Sequence, residues 1–150
     1  MTLPRKDQRG VRFVPPRNWH VTLRFLGDVG VNEVVNALDS ITIPSATATL
    51  APGVDVLSGR ALVLDVRGLD ELAAAVTEGT AAIGDPPPTR PYRAHLTLAR
   101  LKGPSILPPA MGASVGGSFD VDSVALVRSR LEREGARYET LEEWSTTPEW

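Results

Sequence analysis

Two stretches of the chain alternate apolar and polar residues around the same four-residue frame, and this repeated pattern limits most strongly what the chain can fold into. The first frame is His20-Val21-Thr22-Leu23 and the second is His95-Leu96-Thr97-Leu98. The chain contains only these two histidines. Alternation with a period of two is typical of a half-buried β-strand. Each frame therefore predicts a strand that presents an imidazole and a threonine hydroxyl side by side on one face.

The two motif strands are predicted over residues 18–26 and 94–99. On the first strand the apolar face carries Trp19, Val21, Leu23 and Phe25. On the second strand it carries Ala94, Leu96 and Leu98. The polar faces, which hold the histidines and threonines, are expected to point away from the core.

The rest of the chain mixes shorter strands with two helical segments. Apolar spacing predicts helices over 32–39 and 69–83. Strands are expected over 11–14, 46–50, 54–57 and 61–66, within 114–130, and over 137–144, where the last strand returns from a turn at 132–135. Residues 103–109 are expected to form a loop and the tail after Trp144 to be loose. This order of elements indicates an α+β fold.

Composition is that of an ordinary soluble domain. The 150 residues suit one domain, 42% of them are hydrophobic, and the net charge is −2. The absence of cysteine excludes disulfides and thiolate metal sites. Residues 1–10 are polar and basic, unlike a signal peptide, and no apolar run approaches the length of a membrane span. We therefore expect a soluble cytoplasmic protein.

Basic residues gather near both motifs despite the negative net charge. They are Arg17 and Arg24 at the first motif, Arg90, Arg93, Arg100 and Lys102 at the second, and Arg128 and Arg130 in a later strand. Such a patch favours a small anion or the end of a nucleic acid over a long duplex. The alternative is that these side chains are ordinary solvated surface.

Two motif strands that line one groove would support acid–base chemistry at a phosphate. A neutral imidazole can take a proton from water while a protonated one gives a proton to a leaving oxygen. Threonine hydroxyls and an arginine can bind the phosphate oxygens. Two histidines without a neighbouring carboxylate are too few for a usual zinc site, and neither a G-x-S-x-G turn nor a P-loop is present. Two purely structural histidines remain the simplest alternative.

Two stretches around the motifs carry a resemblance to a known family. They are Trp19-His20-Val21-Thr22-Leu23-Arg24-Phe25-Leu26-Gly27 and Arg93-Ala94-His95-Leu96-Thr97-Leu98-Ala99-Arg100. They resemble the 2H phosphoesterase superfamily, and within it the RNA 2′,3′-cyclic phosphodiesterases, also called the 2′-5′ RNA ligase family. Ser129-Arg130-Leu131, Gly135 and Tyr138 resemble the C-terminal hairpin of these proteins.

The resemblance implies a fold, a reaction and a set of residue roles. The fold would be bilobal and α+β, a pseudo-twofold duplication with two antiparallel sheets around a central cleft. The reaction would open an RNA 2′,3′-cyclic phosphate to a 2′-phosphomonoester without a metal. By this resemblance His20 would donate a proton to the leaving 3′ oxygen and His95 would activate water. Thr22 and Thr97 would hold phosphate oxygens, and Arg100 would add a positive contact.

Three features differ from the usual family pattern. Only 19 residues precede His20, so we expect the N-terminal β-α unit to be missing and a sheet edge to be exposed for association with another chain. Ala94 stands where a proline is common. Strict alternation places Arg100 on the face opposite His95, so Arg100 would reach the cleft only if the strand ends or bulges after Ala99.

The expected organisation is one 2H phosphoesterase-like domain over 1–150, with lobes at about 11–60 and 61–144. The expected partners are RNA 3′ ends, or nucleotides, that bear a 2′,3′-cyclic phosphate. No cofactor, metal, membrane or obligate protein partner is expected. Two alternatives remain open: a non-catalytic binder of RNA ends with a shortened first lobe, and a ligase that joins RNA ends through 2′-5′ bonds.

Overall fold

Strands dominate the computed structural model, which describes residues 11–101, 117–133 and 135–147, apart from the side chains of residues 11 and 52. The elements follow in the order β1 (Val11–Phe13), α1 (Val31–Asp39), β2 (Ala46–Leu57), β3 (Ala61–Arg67), α2 (Asp70–Gly79), β4 (His95–Leu101), β5 (Gly117–Val121), β6 (Ser123–Glu132) and β7 (Gly135–Ser145). A 3₁₀ turn, Pro16–Asn18, follows β1. The loop predicted at 103–109 lies outside the described residues.

Two antiparallel sheets are formed. The larger sheet has the strand order β1-β4-β3-β2-β5, and the smaller one is the β6-β7 hairpin. The predicted α+β class with two antiparallel sheets is therefore confirmed. Neither described helix has the length and apolar character that a membrane crossing requires.

The chain divides into two compact units. The first contains the described residues within Met1–Thr22, Ala48–Arg67 and Arg93–Phe119. The second contains those within Leu23–Thr47, Gly68–Tyr92 and Asp120–Trp150. The first unit contains the first motif as far as Thr22, and it contains the whole second motif, since its last segment begins at Arg93. The predicted lobe boundaries near residues 60 and 144 stay a prediction.

The first unit is organised around β3 and β4, the two central strands of the larger sheet. The run Ala61–Leu64 is completely buried, as its unbroken apolar sequence predicts. It pairs on one side with β2, and on the other side with β4. Because a strand in the middle of a sheet has no free edge, its neighbours are held in a fixed register.

The second unit packs its two helices with the β6-β7 hairpin. Its buried cluster consists of Val34, Leu38, Val76 and Ile83, and partly buried neighbours include Leu23, Leu26, Leu126 and Trp144. Helix α2 ends at Gly79, earlier than the predicted residue 83. After Gly79 the helix does not continue. The carbonyl groups of Thr80 and Ile83 accept hydrogen bonds from the Arg24 guanidinium.

The predicted strand over residues 18–26 is wrong beyond its centre. Only Val21 pairs, through a single antiparallel bridge to Leu96. Leu23 and Leu26 pack into the core of the second unit, whereas Phe25, expected on the same apolar face as Val21, is 72% exposed. The chain therefore leaves the sheet after the first motif, and the alternation that follows does not describe a strand.

The tail after Trp144 is attached over its described length, contrary to the expectation that it is loose. Thr147 forms a parallel bridge with Pro44. Its amide donates to the carbonyl of Ile43 at 2.7 Å, and its carbonyl accepts from Ser45 at 3.0 Å. These backbone hydrogen bonds hold Thr147 in place, although the polar sequence after Trp144 alone predicts a loose tail.

Candidate functional site

The second motif lies on β4 as its alternation predicts. Leu96 and Leu98 are buried at 8% and 1% exposure, whereas His95 and Thr97 are half-buried on the other face. Their partners on β3 are Asp65 opposite His95 and Val63 opposite Thr97. Since β4 is a central strand, the imidazole and the hydroxyl are held by an element paired on both sides.

The first motif reaches the side of β4 that is not paired with β3, and it does so through an interrupted edge strand. Strand β1 pairs with β4 up to Phe13, and the amide of Val14 donates to the carbonyl of Leu98 at 2.8 Å. The 3₁₀ turn then interrupts the pairing with β4. The indole of Trp19, which follows this turn, donates a hydrogen bond to the carbonyl of Val14, which precedes it, at 2.9 Å. The chain returns to β4 at Val21.

The bridge between Val21 and Leu96 sets the register of the two motifs. In antiparallel pairing the residues on either side of a bridge lie opposite each other. His20 is therefore placed across from Thr97, and Thr22 across from His95. All four side chains share one face, with the two histidines on a diagonal of about 7–8 Å between backbone positions. The four motif residues named in the sequence analysis therefore lie beside one another on this face, and their role there stays a prediction.

The two imidazoles make the same local contact. His20 Nδ1 lies 2.8 Å from the carbonyl oxygen of Asn18, and His95 Nδ1 lies 2.9 Å from that of Arg93, each two residues earlier. A carbonyl oxygen only accepts, so Nδ1 carries the hydrogen in both rings. Nε2 is then the nitrogen that carries no hydrogen in the neutral ring, and it is the same atom in both imidazoles.

A β-bulge brings Arg100 to the face of the motif. The pairing of β3 with β4 shifts by one residue between Val63–Thr97 and Leu62–Ala99, which leaves Leu98 as the extra residue. Leu98 and Ala99 are both buried, at 1% and 0% exposure. Arg100 is opposite Ala61, which shares its side of β3 with Val63. The bulge begins one residue earlier than the position the sequence analysis required, and it has the required effect.

Arg12, which the sequence analysis did not single out, is the direct partner of Arg100. It lies on β1 in antiparallel register with Arg100, so both guanidinium groups project on the face that carries the motifs. The signal available in the sequence was a basic residue inside the short strand before Pro15 and Pro16. That signal becomes specific only when the pairing of β1 with β4 is known.

Arg93 binds carboxylates of the first unit instead of contributing to a basic patch. Its Nε donates to Asp65 Oδ1 at 2.8 Å and its Nη2 to Asp65 Oδ2 at 3.1 Å, with a further contact to Asp55 Oδ2 at 3.3 Å. The hydrogen bond to Asp65 raises the pKa of Arg93 above its ordinary value. Arg93 therefore balances two carboxylates and, through its carbonyl group, orients His95.

Arg24 is likewise structural, contrary to its expected place beside the first motif. Its guanidinium donates to Thr80 Oγ1 at 2.9 Å and to the carbonyl oxygens of Thr80, Ile83 and Asp85 at 3.1, 2.8 and 3.0 Å. Of the other basic residues considered, Arg17 and Arg90 are exposed, Arg128 and Arg130 lie on β6 in the second unit, and Lys102 is outside the described residues.

A separate cavity of about 410 Å³ holds none of the predicted site residues. It is lined by Ser45, Ala46, Thr47, Asp120, Val121, Asp122 and Thr146. Thr47 Oγ1 donates to Asp120 Oδ1 at 3.0 Å. Two carboxylates in its wall disfavour a phosphate, so the motif face of β4 is the better candidate for an anionic ligand.

An antiparallel sheet that places two His-x-Thr motifs side by side defines the class of two-histidine phosphoesterases. The family model for LigT-like phosphoesterases matches residues 2–52. An RNA 2′,3′-cyclic phosphodiesterase of Aeropyrum pernix is 30% identical over 89% of this chain and 85% of its own length. One of Thermus thermophilus is 32% identical over 91% and 76%. The chain belongs to the LigT-like phosphoesterase family.

Solved structures agree with this assignment. A Thermus thermophilus protein superposes with a TM-score of 0.78 at 27% identity, covering 95% of this chain and 85% of that one. Escherichia coli LigT in complex with 3′-AMP superposes with a TM-score of 0.73 at 28% identity, with the same coverage. The latter structure contains a nucleotide, which is the chemical class of ligand expected for the motif pair.

Proposed function

We propose that this protein is an RNA 2′,3′-cyclic phosphodiesterase, which hydrolyses the cyclic phosphate at an RNA end to a 2′-phosphomonoester. The observation that carries the proposal is the Val21–Leu96 bridge, which puts both His-x-Thr motifs on one face of one sheet. Membership of a family whose relatives bear this name supports the choice of substrate.

The reaction needs one proton removed and one delivered. His95, neutral at Nε2, takes a proton from a water molecule, whose oxygen attacks phosphorus. The bond between phosphorus and the 3′ oxygen breaks, and His20, protonated at Nε2, gives its proton to that oxygen. The products are a free 3′ hydroxyl and a 2′-phosphomonoester. Each general acid or base of this kind contributes about 10²- to 10⁴-fold to the rate.

The remaining residues of the face act on charge. Thr22 and Thr97 lie across from the opposite motif's histidine, where their hydroxyls can donate to non-bridging phosphate oxygens. Arg100 brings a positive guanidinium group, whose planar donors suit phosphate oxygens. Donors fixed on a sheet stabilise the charge that develops on the phosphorane without reorganising during the reaction.

The test is hydrolysis of a 2′,3′-cyclic nucleotide in the presence of EDTA, with phosphorus NMR to identify the product. We expect a 2′-phosphomonoester and a bell-shaped dependence of the rate on pH, because one imidazole must be protonated and the other neutral. His20→Ala and His95→Ala should each lower kcat at least about a hundredfold. Thr49→Val, on strand β2, which β3 separates from β4, serves as a control and should leave kcat unchanged.

Four outcomes would contradict the proposal. Activity that survives in the double variant His20→Ala/His95→Ala would exclude the two-histidine mechanism. Loss of activity with chelator would point to a metal-dependent reaction. Binding of the cyclic nucleotide without turnover would favour a non-catalytic binder of RNA ends, and joining of RNA ends through 2′-5′ bonds would favour a ligase.

A further inference from the structure

His20 ends a segment that interrupts the pairing of the chain with β4. This connecting segment, residues 15–20, lies between two contact points on β4, namely Leu98 and Leu96. A single residue of β4, Thr97, separates those points, so six residues of the segment run beside one residue of the strand. Because a strand residue stands opposite only one residue of its neighbour, pairing with β4 does not by itself fix the position of the segment.

The second histidine does not depend on such a segment. His95 belongs to β4, a central strand of the larger sheet, and pairs directly with Asp65 of β3. A general acid, the role proposed for His20, has to stay within hydrogen-bond reach of the oxygen that it protonates. Contacts of the connecting segment therefore have to hold His20 as the sheet holds His95.

Two backbone hydrogen bonds shape the connecting segment into a turn. The amide of Asn18 donates to the carbonyl of Pro15 at 2.9 Å. The amide of Trp19 donates to the carbonyl of Pro16 at 3.0 Å. Both prolines restrict the backbone further, since the ring fixes φ at about −65°. The carbonyl of Asn18 accepts from Nδ1 of His20 at 2.8 Å, so the orientation of the imidazole depends on the position of this turn.

The side chain of Trp19 joins the end of the connecting segment to the residue before it. Its indole Nε1 donates to the carbonyl of Val14 at 2.9 Å, and the bond is partly buried. Val14 is itself attached to β4, because its amide donates to the carbonyl of Leu98 at 2.8 Å. The indole thus links the turn to the sheet at the residue immediately before His20. A hydrogen bond that is shielded from water is electrostatically stronger than an exposed one.

We propose that Trp19 is a positioning residue for His20. The hydrogen bond from its indole to Val14 holds the connecting segment against the sheet, so that the imidazole keeps its orientation on the motif face. The inference rests on the proposed function and adds to it a residue that acts only through His20. Trp19 takes part in no chemical step of its own.

Trp19→Phe tests this role, because it keeps an aromatic ring and deletes the indole donor. We expect kcat on a 2′,3′-cyclic nucleotide to fall about tenfold with KM within a factor of two, since a small misplacement of a reacting group is costly. Trp144→Phe is the matched control. It also deletes an indole donor, which bonds Asp39 at 2.7 Å in the second unit, and it should change kcat less than twofold.

A double-mutant cycle shows whether Trp19 acts through His20. In the His20→Ala background, Trp19→Phe should change the residual kcat less than twofold, because the group that it positions is already gone. In the His95→Ala background it should retain its tenfold effect. An unchanged kcat in Trp19→Phe, or equal losses in both backgrounds, would overturn the positioning role while the hydrolase proposal stands.

Nitrogen NMR of the imidazoles tests the same role without activity. The chain has only two histidines, so each ring gives its own signals, and at a pH where both are neutral wild type should hold the hydrogen on Nδ1 in each. Trp19→Phe should shift His20 toward a mixture of tautomers and leave His95 unchanged. The same tautomers as wild type, or equal changes in both rings, would overturn the proposal.

The two experiments separate the positioning role from the proposed function. If wild type does not hydrolyse the cyclic nucleotide, the proposed function fails, and the tautomer of His20 still decides whether Trp19 positions the ring. Thermal unfolding checks that each variant is folded. If Trp19→Phe does not fold, 3-benzothienylalanine at position 19 replaces the N–H by sulfur in a ring of the same shape. It should give the same loss of kcat and the same tautomer shift, and wild-type behaviour would overturn the role of the indole bond.

Discussion

Val21 lies directly opposite Leu96 in an antiparallel bridge, and this one pairing determines which motif residues face each other. It places Thr22 across from His95 and Thr97 across from His20. A phosphate bound between the histidines would therefore meet each threonine beside the histidine of the other motif. In the proposed reaction the two motifs form one site, and neither motif is complete alone.

Removal of either hydroxyl should slow the reaction. Thr22→Val and Thr97→Val keep the side-chain shape and delete one donor to the phosphate, and loss of a comparable donor in other enzymes costs about 10²- to 10³-fold in kcat. Steady-state kinetics on a 2′,3′-cyclic nucleotide measures the effect. Thr49→Val on β2 controls for loss of a strand hydroxyl. A kcat unchanged in both motif variants would remove the threonines from the site.

Arg24 is expected to stabilise the fold without contributing to activity. Arg24→Met removes the guanidinium that donates to buried Thr80 Oγ1 and to the carbonyl groups of Thr80 and Ile83, and the free energy of unfolding should fall by about 2 kcal/mol. Urea denaturation measures this loss. Arg90→Met, at an exposed arginine, should change stability by less than about 0.5 kcal/mol. Under conditions in which the variant is folded, Arg24→Met should retain the wild-type kcat/KM. A loss of kcat/KM in the folded variant would indicate that Arg24 contributes to the functional site.

The difference between Arg24 and the motif residues shows what a sequence can predict here. Alternation on β4 predicts the shared face of His95 and Thr97 because the period of a strand is a local property. Apart from the carbonyl group of the neighbouring Phe25, the partners of Arg24 lie 56 to 61 residues further along the chain, and nothing local to Arg24 indicates them. The bulge at Leu98 is also non-local, since it appears only as a shift of register against β3. The local pattern thus predicts which face the motif residues share. Tertiary contacts determine where the arginine side chains lie and what they bind.

Two glycines with the same backbone angle should respond differently to alanine. Gly84 and Gly59 both have φ of +67°, which costs an alanine about 1–2 kcal/mol. A Cβ at Gly84 would also clash with the carbonyl oxygen of Leu26 and lie 2.6 Å from Val29 Cγ1, whereas at Gly59 nothing lies within 4 Å. We expect Gly84→Ala to lower the free energy of unfolding by about 2 kcal/mol more than Gly59→Ala. Similar losses in urea denaturation would contradict this close approach.

Tyr92 should make stability depend on pH in the alkaline range. Burial, and secondarily the negative charge of Asp70, raises the pKa of Tyr92 from 10.0 to about 12. The folded protein therefore holds this proton where the unfolded chain has lost it. The resulting stabilisation is fully present below pH 10 and is lost as pH rises from 10 to about 12. Urea denaturation across this range should show a steeper decline for wild type than for Tyr92→Phe, and parallel curves would contradict the assignment.

Asp65 is expected to position His95 through Arg93. Asp65 receives two hydrogen bonds from the Arg93 guanidinium, at 2.8 and 3.1 Å, and the Arg93 carbonyl oxygen lies 2.9 Å from His95 Nδ1. Asp65→Asn weakens the hold on Arg93, so the imidazole should spend less time oriented toward water. We expect kcat to fall about tenfold with KM within a factor of two, because a small misplacement of a reacting group is costly.

A stability effect alone cannot produce this pattern. The pair is exposed to solvent, and such pairs contribute about 0–1 kcal/mol to folding. Asp55→Asn is the matched control, since Asp55 receives a single longer hydrogen bond of 3.3 Å from the same guanidinium, and it should lower kcat by less than threefold. Asp65→Glu should recover part of the lost kcat by restoring the charge. Equal losses in Asp55→Asn and Asp65→Asn, or a loss confined to KM, would contradict a positioning role for Asp65.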